Sequence, residues 1–277
     1  EVEPDFYLLG EVNETMDSVV GEYFRGLHSP LDFPISGKIL DSVVKNSRGY
    51  VIKIIQSYDK YRDYNRTFIS APFLTNHDQD RIADQVDGDL RELKLAAEML
   101  LTLPGSPIIY YGEEIGMHGV KANGEMSDGG SVWDETRRLP FKYGDELDTS
   151  WFDDESFVSV VKNKVIASAL EQKEDPDSLW QTYRKLIELR KEYPALRYGN
   201  EISAYEKNTR DLQGFYRTYE YQSFTQKILV LHNLSYSDID MIPFTGKIIY
   251  ASDSEDLENL DKIKARSTVI IEVKEDV

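Results

Sequence analysis

The sequence predicts an α/β fold of the parallel-barrel type in residues 1–197, followed by a small antiparallel β-domain in residues 198–277. Three observations lead to this prediction. Short apolar strands alternate with helical stretches in the first part, which is typical of a parallel sheet with crossover helices. Polar residues follow the strands at intervals close to the ~30 residues of one barrel unit. Short β-branched or aromatic segments between turn residues fill the last part.

The first elements follow from apolar runs and their spacing. Residues 5–10 form a short apolar run that ends at a glycine and predicts a buried strand. A helical stretch continues to about residue 27. Residues 31–36 carry a second apolar run, at the place of the second strand. Residues 38–57 have apolar side chains spaced for one helical face, and residues 66–75 read as the third strand.

The next elements are bounded by glycine and proline. Residues 89–103 are rich in alanine and leucine, and Pro104–Gly105 stops the predicted helix. Residues 107–111 form the fourth strand. Residues 119–155 contain many glycines and aspartates and predict a long loop at the mouth of the barrel.

A last helix precedes the β-domain. Asp175 and Pro176 are expected to supply its N-cap and first position, and Pro194 marks its end. From residue 198 onward helical signals mostly stop, and the segments predict a small β-sandwich.

Composition excludes several classes of function. The 277 residues carry a net charge of −18, which disfavours nucleic acid and anionic membranes as partners. Because there is no cysteine, zinc–thiolate sites, iron–sulfur clusters and cysteine nucleophiles are excluded. No apolar run approaches the ~20 residues that span a bilayer, so we expect no membrane span.

Carboxylates recur where the predicted strands end. Glu11 follows the first strand, Asp78 the third, and Glu113 and Glu114 the fourth. Glycoside hydrolysis uses carboxylates in different protonation states on either side of one bond. A carboxylate that is partly desolvated at a strand end can act as the acid. Acidic residues at strand ends also cap helices or face solvent, and spacing alone leaves that alternative open.

Five segments in order give the chain a family resemblance. LLGEVN (Leu8–Asn13), FLTNHDQDR (Phe73–Arg81) and PIIYYGEEIGM (Pro107–Met117) resemble the motifs of strands five, seven and eight of the α-amylase superfamily, glycoside hydrolase family 13. DETRRLPF (Asp134–Phe141) resembles a loop of its oligosaccharide-acting members. Residues 175–199 resemble its final barrel helix, which leads into a C-terminal β-sandwich. The resemblance implies the second half, strands five to eight, of a (β/α)8 barrel.

The resemblance also implies roles for individual residues. Glu11 would be the general acid/base, and Asp78 would stabilise the transition state without attacking the sugar. His77 would hydrogen-bond the same sugar. Asn76 would orient Asp78 from beneath, and Arg81 would belong to the substrate-binding set, with pairing to a carboxylate or a plain surface ion pair as its two readings.

Other residues near these motifs have two readings. Glu113 and Glu114 are expected to be structural and to cap the following helix. Trp133, Trp151 and Tyr111 could stack on sugar rings, although packing is the commoner use of an aromatic side chain.

The family's nucleophile, an aspartate on the fourth barrel strand, has no counterpart in these 277 residues. We therefore expect a fragment that lacks the N-terminal barrel half, is inactive alone, and is poorly soluble or pairs with the missing half or another copy. The motifs imply no cofactor and no metal ligand here, whereas calcium in the parent protein would be bound by upstream residues. Polymer-degrading relatives are often exported, which favours an extracellular or periplasmic location and leaves the cytoplasm open.

The resulting hypothesis is a retaining glycosidase for α-1,4- or α-1,6-linked glucans and maltooligosaccharides. Within this class an α-glucosidase or a glucan transglycosylase shares the motifs. A non-catalytic amylase-like binding or scaffold subunit is the alternative outside it. A third hypothesis is an unrelated barrel whose strand-end acids bind a metal. It is disfavoured because the sequence has no histidine pair at ligand spacing.

Overall fold

The computed structural model describes residues 6–125, 131–149, 157–199, 201–252 and 257–274. The helices are α1 (Asp17–Tyr23), α2 (Phe33–Val43), α3 (Tyr50–Tyr64), α4 (Ile82–Gln85), α5 (Leu90–Thr102), α6 (Val158–Val165), α7 (Ala169–Glu174), α8 (Leu179–Glu192) and α9 (Pro194–Arg197). The strands are β1 (Leu9–Gly10), β2 (Ser29–Pro30), β3 (Gly124–Glu125), β4 (Ser131–Val132), β5 (Glu201–Ala204), β6 (Leu212–Tyr221), β7 (Phe224–Asn233), β8 (Ile239–Asp240), β9 (Gly246–Ala251), β10 (Lys262–Ile263) and β11 (Ser267–Val273).

Four chain segments pair in parallel, in the order of the sequence. β1 pairs with β2, and two single bridges extend the array, from Leu31 to Ala71 and from Phe73 to Ile108. Helices connect the successive segments, as crossovers between parallel strands require. The carboxyl ends of all four segments therefore lie on the same side of the array, which is where Glu11, Asp78 and the turn after Tyr111 are found.

The predicted second strand was placed too late in the sequence. The strand is β2, and most of the apolar run 31–36 already belongs to α2. Asp32 is the N-cap of that helix, since its carboxylate accepts from the Ile35 N–H at 3.0 Å, and Pro34 fits the first turn. A capping aspartate followed by proline therefore overrides the strand-like composition of this run.

The single helix predicted over residues 38–57 is two helices, α2 and α3. The chain turns between them at Asn46, with φ 51°, and at Gly49, with φ 79°. Both angles lie in the left-handed region, which interrupts a right-handed helix and which glycine and asparagine enter at low cost. The apolar spacing of the two helices continues across this turn, so periodicity alone did not reveal it.

The fourth parallel segment is preceded by the predicted helix and stop signal. Asp89 caps α5 by accepting from the N–H groups of Arg91 and Glu92. Gly105 then adopts φ 97°, and a Cβ there would lie 2.2 Å from the carbonyl oxygen of Ser70. Glycine is required by both the backbone angle and this close approach.

The N-cap of α8 is Ser178, not Asp175 as predicted. The Ser178 Oγ accepts from the Gln181 N–H at 3.2 Å. Asp175 instead accepts from the N–H of Asp177 at 2.9 Å, which makes a local turn before the helix. The predicted end is confirmed, because α8 stops at Glu192 and Pro194 opens the short helix α9.

The last part of the chain forms an antiparallel sheet in the order β5-β6-β7-β11-β9, beside the pair β8 and β10. Alternate residues of β7 face opposite sides, as the pleat requires. Ile228 and Val230 pack in the same apolar core as the helices, whereas Leu229 and Leu231 pack with Ile263 of β10. An antiparallel region is thus confirmed, and the full sandwich remains a prediction.

Two arginines, Arg190 and the buried Arg217, join the helices to this sheet. Arg190 of α8 donates to the carbonyls of Leu101 and Leu103, both at 2.8 Å. Arg217 of β6 donates to the carbonyl of Thr102 at 2.6 Å. The last carbonyls of a helix have no partner within the helix, so these guanidinium groups complete the carboxyl end of α5.

We predict that Arg217→Lys destabilises the fold by about 1–3 kcal/mol, because one ammonium cannot serve the carbonyls of Thr102, Leu196 and Gly199 together. The free energy of urea unfolding measures this. The control Arg184→Lys alters exposed contacts with Glu188 and the Trp180 ring and should change stability by less than about 0.5 kcal/mol. Equal effects of the two variants would contradict the role given to Arg217.

Candidate active site

The structure brings together the three residues that carry the strongest sequence prediction. The carboxylate oxygens of Glu11 and Asp78 and a ring nitrogen of His77 all lie within 4.8 Å of one another. Glu11 directly follows β1, and the other two residues follow the third parallel segment. His77 and Asp78 lie more than 60 residues after Glu11 in the chain. They meet Glu11 because parallel strands end on one side of the array.

The surroundings of Glu11 differ from the expectation. Its side chain is exposed to solvent in the described structure, as are those of His77 and Asp78. The expected partial desolvation of an acid at the strand end is therefore not met. The site is an open surface on which three side chains converge.

Asn76 orients Asp78 through the backbone. The Asn76 Oδ1 accepts from the Asp78 N–H at 3.0 Å, and its carbonyl accepts from the Gln79 N–H at 3.2 Å. This local turn fixes the direction of the chain as the strand ends. Asn76 therefore contacts the backbone of Asp78, and its role in orienting the Asp78 carboxylate remains a prediction.

Arg138 is a member of the site that the sequence reasoning did not assign. Its NH2 atom lies 2.8 Å from the Asp78 Oδ1, and its Nε donates to the carbonyl of His77 at 3.2 Å. His77 contributes its Nε2 at 3.4 Å from the same Asp78 oxygen. Asp78 is thus held between a guanidinium and an imidazole, which fix the orientation of its carboxylate.

Arg137 anchors the loop that carries Arg138. Its NH1 donates to the Asp78 carbonyl and to the Asp134 carboxylate, both at 2.8 Å, and its Nε donates to Asp80 at 2.8 Å. The loop and the segment after the third strand are therefore fixed to each other. The DETRRLPF segment is the sequence signal for these contacts, but the motif alone does not assign roles to its two arginines.

The side chain of Arg81 is buried and does not join the group of Glu11, His77 and Asp78, which differs from its predicted place in the substrate-binding set. Its side chain is fully buried and lies over the rings of Tyr110 and Tyr111, 4.4 and 4.8 Å from the ring centroids. It donates to the carbonyls of Arg137 (2.9 Å) and Tyr111 (2.6 Å). Burial lowers the pKa of Arg81. Its role is to join the fourth parallel segment to the Arg138 loop, and neither predicted ion pair forms among the described residues.

The two glutamates after the fourth segment are structural, although they do not cap a helix. They lie in a short 3₁₀ helix, Glu113–Ile115, without a side-chain cap. Glu113 is buried, and the Tyr183 hydroxyl donates to its Oε1 at 3.1 Å. Burial raises the pKa of Glu113 to about 8 and also raises that of Glu114.

The aromatic candidates separate into different surroundings. Trp133 is 53% exposed, and the Lys121 ammonium lies 5.2 Å from its ring centroid. Tyr111 is partly exposed and donates its hydroxyl hydrogen to the carbonyl of Leu139 at 2.9 Å. Trp151 lies outside the described residues. Trp133 is therefore the more exposed of the two described members of this set.

The group of acidic and histidine side chains that converges in the described ranges does not fit calcium. Calcium takes six to eight oxygen ligands. The group of metal-ligating side chains found in the described ranges is Glu11, His77 and Asp78, which includes a nitrogen and a carboxylate already paired with Arg138. No step of the chemistry is therefore assigned to a metal ion.

The parallel segments and their strand-end residues place the chain among parallel α/β proteins of the TIM-barrel type. Residues 1–199 match the family model described as "Alpha amylase, catalytic domain". The chain belongs to this α-amylase family, whose members include glycosidases.

Individual relatives agree with this assignment. The chain is 36% identical over 252 residues to "Alpha-amylase SusG" of Bacteroides thetaiotaomicron, covering 88% of this chain and 34% of that protein. It is 32% identical over 282 residues to "Alpha-amylase 3" of Dictyoglomus thermophilum, covering 98% and 52%. The solved α-amylase from H. orenii superposes with a TM-score of 0.79 at 29% identity, covering 98% of this chain and 54% of that one. The chain thus spans about half or less of the length of these relatives.

We predict that the buried Glu113 makes stability fall as pH rises. Its folded pKa of about 8 exceeds the ordinary 4.5, so the folded state retains a proton that the unfolded state releases. This contribution is fully present below pH 4.5 and is lost between pH 4.5 and about 8. Each unit of difference corresponds to ~1.4 kcal/mol, and water entry on ionisation reduces the sum.

Urea unfolding at pH 5 and pH 8.5 measures this effect. Between pH 5 and pH 8.5 the unfolding free energy of the natural chain should fall by about 1–4 kcal/mol more than that of Glu113→Gln. The exposed Glu174→Gln is the control and should show the same pH dependence as the natural chain. A parallel pH dependence in Glu113→Gln would contradict the assignment.

Proposed function

We propose that this chain is part of a retaining glycoside hydrolase that cleaves α-1,4- or α-1,6-linked glucans and maltooligosaccharides. The observation that carries the proposal is the convergence of Glu11, His77 and Asp78 within 4.8 Å, in a chain of the α-amylase family. Relatives with related names, such as the "4-alpha-glucanotransferase" of Thermotoga maritima (34% identical over 121 residues, 43% of this chain and 26% of that protein), support a glucan as the substrate class.

Glu11 is the general acid and then the general base of the proposed reaction. Its carboxyl proton passes to the glycosidic oxygen as the bond between the sugar carbon and that oxygen breaks. The resulting carboxylate then accepts a proton from the water molecule that releases the sugar from the nucleophile.

Asp78 and His77 act on the sugar that reacts. Positive charge develops on the ring in the transition state, and a fixed carboxylate nearby lowers its energy. Arg138 and the Asn76 turn fix the Asp78 carboxylate before substrate arrives, so little reorganisation is needed. His77 supplies a hydrogen bond to a hydroxyl of the same sugar.

The proposed architecture is strands five to eight of a (β/α)8 barrel, residues 1–197, followed by a β-sandwich, residues 198–277. Four parallel segments in chain order support the half barrel. The nucleophile would then belong to the other half of the barrel. We propose that the calcium of the parent protein, where present, is also bound there, and that the protein is exported.

In a preparation that cleaves maltoheptaose, Glu11→Gln should lower kcat by about 10²- to 10⁴-fold, because the amide cannot donate a proton to the leaving oxygen. Product formation followed by mass spectrometry gives the rate and the product lengths. Glu14→Gln, three residues further on and also exposed, is the matched control. Unchanged turnover in Glu11→Gln would reject Glu11 as the acid.

The 277-residue chain alone should not turn over maltoheptaose, because its strand-end site contains no residue assigned as nucleophile. The purified chain, with its intact mass recorded, is incubated with maltoheptaose and the products are analysed by mass spectrometry. Shorter products from a chain of that mass would overturn this part of the proposal. Products longer than maltoheptaose would overturn it as well, because transfer also requires cleavage of a glycosidic bond.

A further inference from the structure

A cleft of about 270 Å³ lies where the first turns of α5 and α8 meet the turn after the fourth parallel segment. Leu93 of α5, Leu179 of α8 and Ile115 line it, together with His118. None of its lining residues belongs to the strand-end group at Glu11. A cavity of ~150 Å³ is large enough for benzene, so this cleft has room for a ligand with a six-membered ring.

His118 is the polar side chain that faces this cleft. The residue is buried, with 8% exposure, and its Nδ1 lies 2.9 Å from the Asp84 Oδ1. Its Nε2 has no hydrogen-bond partner among the described residues, yet this atom is not fully enclosed. A Cβ at Gly88, which also lines the cleft, would lie 3.6 Å from the Nε2. The free ring nitrogen is therefore reached from the cleft.

Asp84 determines which nitrogen of His118 carries the hydrogen. Its carboxylate accepts from the Lys162 ammonium at 2.7 Å and from the Gly119 N–H at 2.5 Å. Burial acts to raise the pKa of Asp84, but the hydrogen bonds from His118 and Lys162 outweigh it, and the pKa is lowered. An ionised carboxylate only accepts hydrogen bonds, so the neutral imidazole donates from Nδ1 and keeps its lone pair on Nε2.

The backbone of His118 is fixed as firmly as its ring. Asn163 of α6 accepts from the His118 N–H at 2.9 Å and donates to the His118 carbonyl at 2.8 Å. With the ring held by Asp84 and the main chain by Asn163, the Nε2 lone pair keeps one direction. The cleft thus has a preorganised hydrogen-bond acceptor in an otherwise largely apolar wall.

The charges near the Nε2 favour a neutral ligand. Asp84 is already paired with Lys162, and Asp175, which lines the cleft, is exposed to solvent. An ion placed beside the leucines would lose its hydration without gaining a buried counter-charge, which is costly. A sugar would be disfavoured for a related reason, because most of its hydroxyl groups would face apolar walls without partners. A single hydroxyl group, in contrast, can donate to the Nε2.

We propose that this cleft binds a small neutral alcohol, whose hydroxyl donates to the His118 Nε2 and whose apolar ring or chain packs against Leu93, Ile115 and Leu179. The ligand would contact α5 and α8 together, so its binding would stabilise the folded chain. The site is independent of the proposed glycosidase function, since no residue of the strand-end group takes part in it.

Cyclohexanol is the probe, and methoxycyclohexane, which has the same ring without the hydroxyl hydrogen, is its matched control. Each is titrated into the 277-residue chain and followed by calorimetry. Cyclohexanol should bind more tightly, and His118→Asn should weaken its binding by about 3- to 10-fold, the loss of one neutral hydrogen bond. The asparagine amide can still donate to Asp84, and the binding of methoxycyclohexane should not change.

A second variant keeps the test decisive if His118→Asn does not fold. Ala167 lines the cleft from an exposed position, so Ala167→Phe should fill the cleft and abolish the binding of both compounds without disturbing the contact between His118 and Asp84. Ala204→Phe, which is also exposed but lies on β5 outside the cleft, is the matched control and should leave binding unchanged.

Three results would overturn the proposal. Equal binding of cyclohexanol and methoxycyclohexane would show that the Nε2 accepts no hydrogen bond from the ligand. Cyclohexanol binding that persists in Ala167→Phe would place the alcohol elsewhere on the chain. Displacement of cyclohexanol by maltotriose would make the cleft a sugar site. Because every readout is binding to the chain itself, a failure of the proposed glycosidase function would leave these results unaffected.

Discussion

The carboxyl end of α5 is the point on which the rest of the structure depends. Its last carbonyls have no partner within the helix, and they are satisfied by Arg190 from α8 and Arg217 from the antiparallel sheet. Both guanidinium groups are largely withdrawn from water, and burial lowers the pKa of Arg217 to about 9 and that of Arg190 to about 10. They remain cations at neutral pH. The carboxyl end of α5 thereby contacts both α8 and the antiparallel sheet. Arg190 also donates to the carbonyl of Gly105, just before the fourth parallel segment.

Contacts between side chains and backbone carbonyls link the end of α5 to the candidate site. The fourth segment ends at Tyr111, whose ring and carbonyl contact the buried Arg81. Arg81 in turn donates to the Arg137 carbonyl, and Arg137 donates to that of Asp78. A continuous series of contacts thus runs from the core to the carboxylate that would face the sugar. Arg137 and Arg138 lie at this place in a chain that is strongly acidic overall, and they hold the carboxylates of Asp78, Asp80 and Asp134 in position.

The two arginines Arg81 and Arg138 show how a motif and a site can differ. Arg81 lies within the Asn-His-Asp segment, and its nearness in sequence suggested a role at the substrate. Its side chain turns inward onto two tyrosine rings, while Arg138, 60 residues from Asp78, makes the ion pair with its carboxylate. Nearness in sequence fixes the backbone position of a residue. The direction of its side chain depends on what the neighbouring segments offer, here two aromatic faces and two carbonyls.

The sequence by itself determined the elements whose signals are local. The stop of α5 at Pro104–Gly105, the β-rich character of the last part and the strand-end positions of Glu11 and Asp78 can be read from adjacent residues, and the motifs indicated the family and three converging residues. Tertiary structure decided the rest. The burial of Arg81 and the contacts of Arg137 and Arg138 with the segment after the third strand depend on groups distant in the chain. Periodicity and propensity describe each segment against an average environment, whereas hydrogen-bond partners and burial are properties of the particular segments that pack together.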